Sequence, residues 1–248
     1  MNTSHNTILI TGGATGIGYA LAEEFLGEGN EVIICGRRAR ALQAAKEKLP
    51  ALHTIVCDVE DEQERARLVS EVTDNFPAFN ILVNNAGIQQ MIRLQQSVPS
   101  AIIAKEVMIN LIAPIHLTTL VAPHFTSKKE AAIVNITSGL GFVPIAWMPV
   151  YCATKAAMHS FSTTSRHQLN STSIKVFEII PPTVETELDH GRRKASGRQI
   201  EMIQPGEVAT ETLEALKVDQ FECAIGQAAN LVNAVKNGNA EIIFERMN

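Results

Sequence analysis

Short apolar, β-branched runs alternate with helix-like segments along this chain, and few architectures accommodate that order. The runs are Thr7-Ile8-Leu9-Ile10-Thr11 and residues 31–35, 53–57, 81–83, 132–136, 175–179 and 222–225. Helical periodicity falls between them at about 16–29, 39–49, 60–75 and 150–167. A longer helical region, 102–125, is expected to break or bend near Pro114 and again near Pro123. Strands that are apolar throughout must be covered on both faces, and each crossover to a parallel neighbour needs a helix. The chain therefore reads as α/β, a doubly wound parallel sheet of about seven strands with helices on both faces. No linker and no internal repeat divides it, so a single domain over 1–248 is expected, with a substrate loop at about 183–204 and a tail at about 238–248. Ligands of such sheets bind beyond the carboxyl ends of the strands, where the strand order reverses.

Composition narrows the partners. Apolar residues make up 46% of the chain and charged residues 19%, enough to bury a large core. A net charge of −5 and the absence of basic runs argue against nucleic acid or an anionic membrane surface as partner. The polar start, Met1 to Asn6, lacks the marks of a secretory signal, and no uninterrupted apolar run reaches the roughly 18 residues of a spanning helix. Cys35, Cys57, Cys152 and Cys223 are widely separated, which suits reduced thiols in a cytoplasmic protein. Neither the cysteines nor the histidines have metal-ligand spacing, so no metal is expected.

The turn after the first strand, Thr11-Gly12-Gly13-Ala14-Thr15-Gly16-Ile17-Gly18, is rich in glycine and opens a helix. Glycines there let the backbone approach a pyrophosphate, which the helix amino terminus attracts. Its place in an alternating chain makes a dinucleotide site the better reading than a mere tight turn. The second strand ends in Cys35-Gly36-Arg37-Arg38, with no acid to hold a ribose 2′-hydroxyl. Either the two arginines bind a 2′-phosphate, favouring NADP(H) while leaving NAD(H) open, or they begin a solvated helix.

Tyr151 and Lys155 stand four apart in a helical segment and so share a face. A nearby ammonium favours the phenolate and makes tyrosine a usable acid/base. Ser138 follows a strand directly, where its hydroxyl could bond the same substrate oxygen.

Together these residues resemble the short-chain dehydrogenase/reductase family in its compact branch, with a Rossmann-type fold. The resemblance runs from Thr7 to Thr186 and more loosely to Gly226. It is carried by the glycine turn, Asp58-Val59, Asn84-Asn85-Ala86-Gly87, Asn110, Ser138, Tyr151-Cys152-Ala153-Thr154-Lys155, and Pro181-Pro182-Thr183-Val184-Glu185-Thr186. Residues 139–144 and the tail are similar to the DltE-like oxidoreductases of bacteria, a group within that family.

The resemblance implies that Tyr151 is the general acid/base, and that Lys155 lowers its pKa and binds the nicotinamide ribose. Ser138 would position the substrate oxygen, and Asn110 would hold a water linking Lys155 to solvent. Asp58 and Val59 would contact adenine; Asn85, Ala86 and Gly87 would support the cofactor; Pro181, Thr183 and Thr186 would lie near the nicotinamide. It also implies a homo-oligomer, dimer or tetramer.

Two departures qualify it. Pro181-Pro182 replaces the usual Pro-Gly and stiffens the backbone there. The tail 240–246 is apolar and lacks the usual glycine-containing end, so it docks either on a partner subunit or on its own chain. Residues 88–91 and 139–148 read as an apolar substrate wall. The loop holding His190, Arg192, Arg193 and Lys194 either binds an anionic substrate group or is simply solvated.

The expected function is hydride transfer between NADP(H) and a small-molecule carbonyl/alcohol pair. A non-catalytic dinucleotide sensor is the alternative, disfavoured because the tyrosine and lysine are both kept. A sugar-nucleotide epimerase would be longer. A serine hydrolase would need the GxSxG elbow that Ser138 lacks.

Overall fold

The central apolar runs are strands without a solvent face: Ile8 to Ile10, Val32 to Cys35 and Ile81 to Val83 are wholly buried, whereas the edge run at 53–57 carries an exposed Val56. A computed structural model describes residues 1–189 and 201–248. In it β1 (Thr7–Thr11), β2 (Glu31–Gly36), β3 (His53–Val56), β4 (Phe79–Asn84), β5 (Ala131–Ile136), β6 (Ile174–Ile180) and β7 (Glu222–Ala224) form one sheet. The order is β3-β2-β1-β4-β5-β6-β7, and every pairing is parallel. The fold is thus the expected Rossmann-type sheet, and its order reverses between β1 and β4.

Helices α1 (Gly16–Gly27), α2 (Ala39–Lys48), α3 (Glu62–Asn75), α4 (Ser100–Val107), α5 (Ala113–Phe125), α6 (Pro149–Gln168), α7 (Pro205–Lys217), α8 (Gln227–Lys236) and α9 (Ala240–Met247) supply the cover. Alternate strand residues face opposite sides. Ile8 and Ile10 pack with Leu21 and Phe25 of α1, Leu42 of α2, and Val208 and Leu213 of α7. Leu9 faces the other way, into a core holding Leu68 and Val72 of α3 and Leu117, Val121 and Phe125 of α5. Local signals set the helix starts. Asp61 accepts from the N–H groups of Gln63 and Glu64 at 2.7 and 3.0 Å, and Gln204 with Glu207 forms a reciprocal cap on α7.

The bend expected near Pro114 is a π-helical turn, Met108–Ile112, joining α4 to α5. The Ala113 N–H reaches back five residues to the Met108 carbonyl. Pro114 brings no N–H to the Asn110 carbonyl four residues earlier, which is the chemical reason for the wider turn. Pro123 lies inside α5, and the helix runs on through it to Phe125. By length and hydropathy the run Ser100–Phe125 would pass for a membrane-spanning helix. It is instead laid against the sheet, with Ile109, Leu117, Val121 and Phe125 in the core and Lys105 paired to Glu60 at 2.7 Å.

One more sequence expectation shifts: the strand read at 81–83 is longer, Phe79–Asn84. The apolar tail, for which no element was expected, is helical. The basic residues His190, Arg192, Arg193 and Lys194 lie outside the described residues. The ends of that segment are tied by a parallel bridge between Val184 and Ile203.

Candidate active site

The glycine turn is held open by the β4 end. Gly12 has φ +64°, and a Cβ on it would stand 3.0 Å from the Ala86 Cα. A Cβ on Gly18 would stand 2.5 Å from the Asn85 side chain and from the Gly12 carbonyl. Asn85 Nδ2 donates to the carbonyls of Thr11 and Gly12 at 2.9 and 3.2 Å. The Thr11 hydroxyl accepts the N–H groups of Asn85 and Ala86, both at 3.0 Å. These bonds fix two backbone turns against each other, so side chains there would force them apart. Thr15 precedes α1 without capping it through its side chain, and no acid occupies the first turn. The first N–H groups of α1 therefore face the cleft with their partial positive charge uncompensated. Backbone, helix terminus and missing Cβ atoms suit a pyrophosphate.

Arg37 and Arg38 follow β2 and line the same cleft, as do Asp58 and Val59 after β3. Arg38 bonds the Thr15 hydroxyl at 3.3 Å and approaches Glu187 at 3.5 Å. Arg37 makes no ion pair among the described residues, so its guanidinium is available to the cleft it lines. Asp58 Oδ1 accepts the Glu60 N–H at 3.1 Å, a local turn bond.

Tyr151 and Lys155 project from the first and second turns of α6 and are nearly buried, at 6% and 7% exposure. The Lys155 ammonium lies 5.6 Å from the centre of the Tyr151 ring and donates to the Ile136 carbonyl at 2.9 Å. Burial lowers the Lys155 pKa to about 8, against the pull of the Glu178 carboxylate, which raises it. Ser138, at the end of β5, accepts the Leu140 N–H at 3.1 Å. That uses an oxygen lone pair and leaves the hydroxyl proton to donate. The turn behind it approaches α6 closely: a Cβ on Gly141 would stand 2.8 Å from the Lys155 carbonyl carbon.

Asn110 sits on the π turn, 2% exposed. Its Oδ1 accepts the Ile88 N–H and its Nδ2 donates to the Ile88 carbonyl, both at 2.8 Å, while a longer contact reaches Thr154 at 3.4 Å. It therefore clamps the segment that leaves β4 to the helix carrying Lys155.

One cleft of about 1220 Å³ is lined by Gly12, Thr15, Gly16, Ile17, Arg37, Arg38, Asp58, Val59, Asn85, Ala86 and Gly87. Ser138, Tyr151, Lys155, Pro181, Thr183 and Thr186 line the same cleft, with Thr186 against the glycine turn at Gly16. Three residues singled out from the sequence stand behind the wall rather than in it. Thr11, Gly18 and Asn110 act on the cleft through the bonds and close approaches above.

Sequence reasoning placed Gln89 and Glu187 in segments facing the substrate, and both line the cleft; it missed Leu231 and Met247, which line it too. Met247 comes from the last turn of α9 and packs on Ile145, Met148 and Tyr151. Asn248 bonds the Ala146 N–H and the Pro144 carbonyl. The tail thus docks on its own chain, at the substrate end of the cleft. The apolar spacing of 240–246 held a signal for helix, but nothing local tells where that helix lands.

The family described as short chain dehydrogenase matches residues 6–197. The uncharacterized oxidoreductase DltE of Bacillus subtilis is 44% identical over 249 residues, covering 100% of this chain and 98% of that protein. A short chain dehydrogenase from Burkholderia cenocepacia, solved in complex with NADP, superposes with a TM-score of 0.86 at 22% identity, covering 100% and 99% of the two chains. Another, from Burkholderia phymatum in complex with NAD, gives 0.81 at 22% identity over 90% and 89%.

Proposed function

The chain belongs to the short-chain dehydrogenase family, and on that basis we propose that it transfers hydride between NADP(H) and a carbonyl/alcohol pair, with Ser138, Tyr151 and Lys155 acting and Asn110 assisting. The observation that carries this reading is the placing of a buried Tyr151–Lys155 pair and the Ser138 hydroxyl in one cleft with the glycine turn. A bound nicotinamide supplies or accepts the hydride.

The protein's part is proton handling and orientation. In reduction Tyr151 gives its hydroxyl proton to the substrate oxygen as negative charge grows there, and in oxidation it takes that proton back. The Lys155 ammonium stabilises the phenolate that remains. Ser138 donates to the same oxygen and holds it in reach of Tyr151. Asn110 keeps the wall at Ile88 fixed to the helix turn behind Lys155, and we assign it the family role of holding the water through which the proton is replaced. Lys155 is charged below about pH 8, so reduction should be steady below that value and decline above it.

NADP(H) is favoured because β2 ends without an acid and Arg37 has no competing ion pair among the described residues. The same reading makes the protein a cytoplasmic homo-oligomer, supported by four buried free thiols and by the apolar faces described below.

The test is a fluorescence titration of the purified protein with NADPH and NADH, followed by a carbonyl panel. NADPH should bind more tightly. Arg37→Ala should weaken NADPH by roughly 10–100-fold and NADH by far less, the expected loss for a charge-assisted phosphate contact. Equal losses for both would count against the 2′-phosphate assignment. Tyr151→Phe should abolish turnover at nearly unchanged cofactor affinity, and an active variant would end the mechanism.

A further inference from the structure

Behind the catalytic helix lies a hydrogen-bonded carboxylate–imidazole pair that the mechanism above does not use. Glu178 is on β6, its side chain 0% exposed. Its Oε1 accepts the Thr137 hydroxyl at 2.8 Å, and its Oε2 meets His159 Nδ1 at 2.8 Å. Both partners adjoin the site. Thr137 lies between Ile136, whose carbonyl holds the Lys155 ammonium, and Ser138. His159 is one helical turn beyond Lys155 on α6 and so shares its face. A carboxylate is stable in the interior only when it is paired and hydrogen-bonded, as Glu178 is by Thr137 and His159.

We propose that Glu178 and His159 are a positioning pair for Lys155: the buried carboxylate holds the lysine as ammonium against its apolar seat, and His159 sets how much of that negative charge the lysine feels. The proposal rests on the role given to Lys155 above. Three elements meet around the pair. Glu178 faces His159 from β6; Glu222 faces it from β7, in register with Glu178; and Arg166 acts from α6 itself. Lys236 of α8 neutralises Glu222 through a 2.9 Å ion pair, and the Phe142 ring covers the imidazole at 4.4 Å between centroids. His159, Glu178 and Glu222 offer atoms within 4.8 Å of one another, the spacing of a cation site. The direct His159–Glu178 bond and the Glu222–Lys236 pair already engage them, which favours a charge pair over a metal centre.

The signs are fixed by charge. Glu178 raises the Lys155 pKa against burial, and the hydrogen bond that Glu178 accepts from His159 raises that of the imidazole. A protonated His159 cancels part of the carboxylate charge, and a neutral one restores it. Removing the acid should therefore push Lys155 towards the free amine, whereas removing only the titrating imidazole should hold it as ammonium.

The direct readout is the titration of Lys155 in full-length protein labelled with [13Cε]lysine, its resonance identified with Lys155→Arg. In Glu178→Gln the midpoint should fall by about one pH unit, and in His159→Gln it should rise by a few tenths of a unit. Thr137→Val, which removes a bond but no charge, should leave it within about 0.2 unit. The alkaline limb of NADPH-dependent reduction should move in parallel. Opposite shifts in a protein that reduces no carbonyl would support the pair and defeat the catalytic reading. A native-like midpoint in Glu178→Gln would overturn the pair and leave that reading standing. Should Glu178→Gln not fold, an unmoved midpoint in His159→Gln alone overturns it.

Discussion

Glu106 is fully buried in α4, with Oε1 accepting the Gln90 N–H at 2.9 Å and Oε2 without a partner among the described residues. Burial pushes its pKa from 4.5 to about 7, with the Gln90 bond acting against the shift. Its folded value lies above its unfolded one, so its contribution is full below about pH 4.5 and is lost as pH rises through 7. The swing is on the order of 2–3 kcal/mol. Glu106→Gln keeps an acceptor for Gln90 and abolishes the charge. It should melt about 5 °C above the native protein at pH 8 and match it near pH 5, as followed by calorimetry. Equal melting shifts at both values would refute the charge as the cause. No sequence signal marked this residue, because a glutamate in a helix reads as solvated until its surroundings are known. Tyr151 and Lys155 differ, because a spacing of four residues is enough to put them on one face.

Elements were legible where one local rule decides them. Apolar runs such as Ile8 to Ile10 had to be covered strands, and Pro114 had to disturb a helix, although only the structure shows a π turn there. The tail was not legible in this way, since its position depends on residues a hundred places away. Helix α9 buries no residue and keeps Ile242 and Phe244 exposed. It is fastened by Met247 on Ile145, Met148 and Tyr151, and by Asn248 on the 144–146 backbone. So held, it is a wall of the substrate end rather than part of the core. Ending the chain after Gly238 should raise KM for a bulky apolar carbonyl about tenfold, the loss of one side chain's apolar contact. NADPH affinity and melting temperature should stay near native, since α9 buries none of its own residues and meets the core through Met247. A tail-less variant with unchanged KM, or one that fails to fold, would show that α9 is no such wall.

At the scale of the molecule, the parallel sheet explains why residues so far apart in sequence were readable as one site. The chain leaves every strand at the same edge, so the turns after β1, β2, β3, β4, β5 and β6 all open on one cleft. Across-sheet pairs such as Glu178 and His159 were beyond reach, because they require the register of β6 against α6 rather than any motif. The outer surface carries a different signal. Leu94 is 80% exposed, and Ile102, Ile103 and Ile112 are 37–41% exposed. Leu94 and Ile103 line an apolar groove of about 340 Å³ together with Val107, Leu111, Pro149 and Val150 at the junction of α4 and α6. Exposed aliphatic side chains gathered along one helix pair cost free energy in water and commonly mark an interface. A second copy is the occupant that fits. Two such faces related by a twofold axis would each present a ridge of isoleucines and a groove to receive it, the self-complementarity that a closed dimer requires. Ile103→Glu would place a charge in the centre of that contact. Sedimentation equilibrium should find the native protein as a dimer or larger and the variant as a monomer, with NADPH binding retained because the cleft is on the other side of α6. A native protein that sediments as a monomer at micromolar concentration would remove the interface altogether, and a variant that stays associated would move it to another face.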